Sequence, residues 1–155
     1  GEGSGHVVRS GIGRYVSKDE ALDLIRQLQQ KGAVHQMFHE DESVSRPEMA
    51  ICSCCWDCCG VLGSYNRGIL PLQLKSYFEA QIVDESLCQG CGVCEEHCPV
   101  QAISVQNGRS HVNAAKCIGC GQCELQCPEG VFRMVPKERV VMLPLQKRSE
   151  ARISW

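Results

Sequence analysis

The chain has 155 residues, a formal net charge of −2, thirteen cysteines and only 5% aromatic residues. That length suits one ordinary domain or two small ones, and small domains need a staple beyond their hydrophobic cores. The near-neutral balance excludes a basic footprint for nucleic acid, and no stretch approaches the roughly 18–20 apolar residues of a membrane span. The odd cysteine count, and its clustering as C-x2-C, favour metal ligands in a reducing, cytoplasmic compartment over a closed disulfide framework.

In chain order, residues 1–12, opening "GEGSG", read as a tag or linker outside the fold. Ser17 and Glu20 have the form of a capping box. Ala21, Leu22, Leu24, Ile25 and Leu28 then share one helical face, which predicts a helix from about Lys18 to Lys31 with that face in the core, and Gly32 supplies the stop. "GAVHQMFHEDES" reads as a short apolar strand or turn running into an acidic loop that ends at Arg46-Pro47. The segment "ICSCCWDCCG" at 51–60 follows. Between Gly60 and Leu87 the pattern predicts a loop, a short helix around Leu72 to Phe78, and a strand, "AQIVDESLC", entering a ligand loop.

From Cys88 the sequence repeats itself. Cys88, Cys91, Cys94 and Cys98 recur 29 residues later as Cys117, Cys120, Cys123 and Cys127. Between the copies, "AISVQNGRSHVN" alternates about Asn107-Gly108, a strong hairpin signal. "GVFRMV" after the second copy reads as a strand. These features place boundaries at 13–80 for a small helical Cys-rich domain, 81–136 for the repeat and 137–155 for a tail. The tail's Lys147, Arg148 and Arg152 read as a solvated stretch able to dock an acidic partner.

"CQGCGVCEEHCP" and "CIGCGQCELQCP" each match C-x2-C-x2-C-x3-C-P. In this spacing three thiolates wrap one cubane and the fourth cysteine reaches the other, so each motif needs its twin. Cys88, Cys91, Cys94 and Cys127 are thereby expected to hold one [4Fe-4S] cluster, and Cys117, Cys120, Cys123 and Cys98 a second. Glycines 90, 92, 119 and 121 allow the tight turns, while Pro99 and Pro128 fix the chain after the crossing ligand. Zinc ribbons use two separated C-x2-C pairs and have no use for a third ligand at the next x2 spacing. These residues resemble the bacterial two-cluster ferredoxin family over about Ile82 to Val135. The resemblance implies an α+β, ferredoxin-like fold with a pseudo-twofold βαβ repeat, clusters close enough for rapid electron exchange, and a low potential.

In the first half, Cys52, Cys55 and Cys58 reproduce the C-x2-C-x2-C spacing, with Cys54 and Cys59 beside them. The first expectation is a third [4Fe-4S] cluster whose fourth corner comes from Cys59, Cys54, Asp57, His35 or His39. The alternatives are a structural zinc site for partner docking, an incompletely ligated catalytic cluster, or redox-active or buried thiols. Vicinal pairs such as Cys54-Cys55 make poor disulfides. His35, on an apolar run, also reads as a hydrogen-bonded core histidine, and Trp56 as an apolar lid over the site. "SKDEALDLIRQLQQKGAVHQMF" followed by "ICSCCWDCCGVL" resembles a family of anaerobe 4Fe-4S dicluster proteins in which a Cys-dense motif precedes a ferredoxin module. In that family the motif often carries a further cysteine where Asp57 stands here.

No phosphate loop, nucleophile elbow or H-E-x-x-H pattern occurs. The acidic pairs Asp84-Glu85 and Glu95-Glu96 read as solvated surface or docking charge. The function expected is therefore electron transfer, as a carrier or as a module of a larger oxidoreductase. Two four-thiolate clusters would bring the formal charge from −2 to about −6, which suits redox partner proteins with a basic docking face.

Overall fold

The computed structural model describes residues 2–40, 48–138 and 142–144. It is a mixed α+β chain that divides into two compact units, Gly1–Ser53 and Cys54–Trp155. Among the described residues no helix is long and apolar enough to cross a membrane.

The first unit opens with helix α1, Glu2–Arg9, where a linker was expected. Its glycines disfavour a helix, whereas His6 and Arg9 in the last turn suit the helix dipole. Helix α2 spans Lys18–Gln30. The Ser17 hydroxyl accepts the Glu20 N–H at 3.1 Å, and the helix ends in a Schellman motif. There Gly32, at φ 92°, donates to Gln29 O while Ala33 donates to Leu28 O. The expected core stripe is narrower than the periodicity suggests. Ala21, Ile25 and Leu28 are half-buried, while Leu22 and Leu24 are exposed, the latter at 53%. Strands β1, Val34–Glu40, and β2, Glu48–Cys54, form a two-stranded sheet. The acidic turn expected between them lies largely outside the described residues.

The second unit takes in the Cys-rich segment from Cys54 onward, so the structure divides the chain well before the boundary expected at 80/81. Helix α3, Leu62–Asn66, stands where a loop was expected, with Leu62 and Tyr65 in the core. The helix expected at Leu72–Phe78 is instead strand β3, Leu72–Leu74, followed by strand β4, Phe78–Ile82. Pro71 cannot sit inside a helix, and the three-residue β3 finds a partner late in the chain. It pairs antiparallel with β8, Met142–Pro144, within the stretch expected to be a tail. Lys147, Arg148 and Arg152 lie outside the described residues.

The repeat builds the rest. Helix α4, Val93–Glu96, and strand β5, Ile103–Gln106, are followed by β6, Arg109–Val112, helix α5, Gln122–Gln126, and β7, Phe132–Pro136. β4 pairs antiparallel with β7, and β5 with β6. The first strand of each half therefore pairs with the last strand of the other. Asn107 and Gly108, at φ 51° and 73°, turn the β5–β6 hairpin as expected. The symmetry reaches individual hydrogen bonds. Glu95 accepts the Val105 N–H at 3.2 Å, and Glu124 accepts the Met134 N–H at 2.8 Å. Glu95 is thus a fold contact rather than idle surface charge. Asp84 likewise caps the 3₁₀ turn Glu85–Leu87, accepting from the Ser86 N–H and hydroxyl. Val100, Ile103, Ile118, Val131 and Phe132 form the buried core between these elements.

Gly90 and Gly92 both adopt positive φ, 69° and 82°, but only Gly90 is hemmed in. A Cβ there would lie 2.7–2.9 Å from the Gly108 backbone, whereas one on Gly92 meets nothing within 4 Å. Gly92→Ala is expected to cost the left-handed strain of roughly 1–2 kcal/mol. Gly90→Ala should add overpacking of roughly 1–3 kcal/mol to the same strain. Anaerobic thermal denaturation checks the order, and equal losses in the two variants would mean that the close approach to the hairpin contributes nothing.

Candidate metal centres

The two repeated motifs each fold as a loop, a glycine in the left-handed region and a short helix. Gly92 and Gly121, at φ 82° and 80°, stand immediately before α4 and α5. These turns direct successive cysteines inward. Cys98, Cys117, Cys120 and Cys123 line one pocket whose other walls include Ala80, Val100, Ala102, Ile103, Ile118 and Met134. One cysteine of the first motif thus joins three of the second. The reciprocal crossing is also present, since Cys94 lies close enough to Cys127 and Cys88 for electrostatic interaction. Cys91, on the same loop, is exposed.

The two sulfur groups sit in unequal surroundings. The Ser110 hydroxyl lies 3.4 Å from Cys88 Sγ and 3.2 Å from Cys94 Sγ. It holds the Cys88 thiol below its usual range, with burial opposing and the Arg109 charge assisting. Arg109 also donates to Glu85 O and Cys88 O, both at 2.6 Å, pinning the loop entrance. Burial pushes Cys94 up against the Ser110 bond. In the other group burial dominates and pushes Cys120 up to about 12, Cys123 higher still, and Cys98 up despite the Ala102 N–H donating to its sulfur at 3.1 Å. Strand register identifies the cause. Ser110 pairs with Val105 and Ala80 pairs with Met134, and Val105 and Met134 are counterparts 29 residues apart. Ala80 therefore occupies the position of Ser110 in the second half, with a methyl where the first half has a hydroxyl.

The Cys-rich segment differs from the sequence expectation. Cys55 and Cys58 are joined as a disulfide. That takes up two of the three thiols expected to ligate a third cluster. The grounds against a disulfide concerned vicinal pairs, whereas this bond spans two intervening residues. Cys54 is buried, and Cys59 accepts the Val61 and Leu62 N–H groups at 3.3 and 3.4 Å. Burial raises the Cys59 thiol, but these bonds and one from Cys54 outweigh it and leave the group below its usual value. Cys52 belongs to the first unit. Trp56, expected as a lid, is 39% exposed.

His35 leaves the ligand candidates. Its Nε2 is 3.1 Å from Ile25 O, which can only accept, so Nε2 carries the proton, while Nδ1 accepts the Ser53 hydroxyl at 3.1 Å. Both ring nitrogens are occupied, as in a core histidine. The His39 side chain lies outside the description.

Residues 80–128 match the family described as the 4Fe-4S dicluster domain. This stretch is a 4Fe-4S dicluster domain. Two curated proteins share its sequence, each named as one of the subunits of H(2):CoB-CoM heterodisulfide,ferredoxin reductase. One is from Methanothermobacter thermautotrophicus and one from Methanothermobacter marburgensis, and each is 49% identical over 57 residues, 34% of this chain. The match spans 8% of the length of those relatives.

The dicluster domain's own residues fit the group its family implies. Four soft sulfur donors with apolar walls suit a cluster ligated by cysteine thiolates, and the described lining of the pocket includes no cationic side chain to compete. A [4Fe-4S] cluster supplies one-electron redox chemistry. Ser110 and Arg109 were not singled out in the sequence, and Glu95 read there only as surface or docking charge. Ser110 left a trace, as a small polar residue on the inward positions of an alternating strand.

A hydroxyl donating to ligand sulfur favours the more negative, reduced state. One such bond is worth about 1 kcal/mol, and 1.4 kcal/mol corresponds to about 59 mV for one electron, so each shifts a potential by about 40 mV. Ser110→Ala is expected to lower the potential of the cluster ligated by Cys88 and Cys94 by a few tens of millivolts and leave the other unchanged. Ala80→Ser should raise the other. A spectroscopic redox titration checks both, and potentials that ignore the two substitutions would refute the hydroxyl's influence.

Proposed function

We propose that the chain is an electron-transfer module in which the dicluster domain carries two [4Fe-4S] clusters. Cys88, Cys91, Cys94 and Cys127 hold one, and Cys98, Cys117, Cys120 and Cys123 the other. The observation that carries this reading is the crossing of Cys98 into the pocket of Cys117, Cys120 and Cys123. Sulfur sets shared between halves bring two one-electron centres close together in one small body, which suits relaying electrons better than binding a substrate. The module serves a larger oxidoreductase through redox partner proteins. The Methanothermobacter relatives, named as part of a reductase, support that setting.

A second reading concerns the Cys-rich segment. The sulfurs of Cys55 and Cys58 and a carboxylate oxygen of Asp57 lie within 4.8 Å of one another. With the disulfide open, and with Cys52 at the next x2 position of the sequence, these groups could hold a third cluster or a zinc ion. Iron, sulfide and zinc counting on anaerobically prepared chain tests both readings. About eight iron and eight sulfide per chain are expected from the dicluster domain, and a third cluster would bring iron to about twelve. A zinc site would add about one zinc instead. A chain that takes up neither iron nor sulfide overturns the electron-transfer reading.

A further inference from the structure

Beyond the eight dicluster cysteines, the second unit holds one more sulfur pair with a defined geometry. We propose that Cys55-Trp56-Asp57-Cys58 is a dithiol–disulfide centre that exchanges two electrons with a partner dithiol or disulfide. It claims the same two sulfurs as the third-cluster reading. It stands whether or not the dicluster domain relays electrons.

The two sulfurs are not equivalent. Cys58 is exposed and Cys55 half-buried, so an incoming thiol reaches Cys58 Sγ first. Cys55 is the better leaving group, because the Cys58 N–H donates to its sulfur at 3.3 Å while also donating to Asp57 Oδ1 at 2.8 Å. An N–H on a departing sulfur stabilises the thiolate as it forms. The loop is held rigidly behind these atoms. Asn66 is fully buried, and its Nδ2 donates to Trp56 O at 2.7 Å and to Pro99 O at 2.8 Å, tying the C-x-x-C loop to the residue after Cys98. A side chain on Gly63 would strike the Asp57 carbonyl, so α3 packs directly beneath the loop. The other nearby thiols are set apart, Cys54 by burial and Cys59 by its own N–H donors.

The exchange balances as follows. A partner thiolate attacks Cys58 Sγ, a new sulfur–sulfur bond forms, and the Cys55–Cys58 bond breaks with its electron pair leaving on Cys55 Sγ. The partner's second thiolate then attacks its own sulfur in the mixed disulfide and expels Cys58 as a thiolate. The two protons lost by the partner dithiol are regained, through water, by Cys55 and Cys58. The partner is oxidised to a disulfide and the C-x-x-C pair reduced to a dithiol. The reverse sequence reduces a partner disulfide.

The test equilibrates the whole chain anaerobically in glutathione buffers of graded ratio, then alkylates it and locates the blocked cysteines by peptide mass while counting iron. Cys55 and Cys58 are expected to become alkylatable together as [GSH]²/[GSSG] rises, with Cys54 and Cys59 unchanged and the dicluster iron constant. Alkylation of both at every ratio overturns the proposal, as does pairing with Cys52, Cys54 or Cys59. Protection that persists at the most reducing ratio, together with about four iron beyond the dicluster complement, also overturns it in favour of a third cluster. Two variants read the polarity, with unchanged dicluster absorbance as the check on folding. In Cys55→Ser, Cys58 should form a lasting mixed disulfide with glutathione at least about tenfold faster than Cys55 does in Cys58→Ser, in line with exposure and access. Equal rates would overturn the assignment of Cys58 as the attacked sulfur.

Discussion

Neither half of the repeat is complete by itself, and the rest of the second unit depends on that. Cys98 crosses from the first motif to the sulfurs of the second, and Cys127 crosses back toward Cys88 and Cys94. The strands make the same exchange, β4 with β7 and β5 with β6. A half on its own would lack its fourth sulfur and leave two strand edges open. Folding and ligand assembly are therefore one cooperative event, which suits a domain too small to rely on apolar burial alone.

The repeat also explains which features were legible in the sequence. The 29-residue displacement, the hairpin at Asn107-Gly108 and the strand of "GVFRMV" are local patterns, and the structure contains each as expected. Features set by distant partners were not visible. β3 exists because residues 142–144 pair with it, and a three-residue stretch carries no periodicity of its own. The α2 stripe was read too wide because apolar spacing reports which residues could be buried, not which ones a small unit can cover; Leu22 and Leu24 stay exposed. In the Cys-rich segment the ruler of C-x2-C-x2-C spacing picked out Cys55 and Cys58 as partners. Spacing alone could not distinguish sulfurs that share a metal from sulfurs that bond to each other.

Near-symmetry is informative where it fails. Much of the repeat follows a constant displacement, down to Glu95 and Glu124 accepting equivalent strand N–H groups. Strand register shows one position beside the sulfurs that breaks the rule, a hydroxyl at Ser110 against a methyl at Ala80. A single oxygen in a region of low dielectric has a large effect on negative charge, because few other dipoles compete with it. The first sulfur group thus tolerates negative charge better than the second, which biases where an extra electron rests and gives a symmetric scaffold a preferred direction.

Asn66 connects this asymmetry to the Cys-rich segment. Its amide holds two carbonyls at once, one inside the C-x-x-C loop and one on Pro99, the residue that follows the crossing Cys98. Removing that amide would leave both carbonyls unpaired in a buried setting, at a cost of roughly 1–3 kcal/mol for each group. The loop and the crossing ligand are accordingly held in one frame. A change in the covalent state of Cys55 and Cys58 that moved the Trp56 carbonyl would act on the peptide beside Cys98 before it reached any other ligand. Such a coupling needs no conformational change elsewhere, because the connecting path is two hydrogen bonds through one buried side chain.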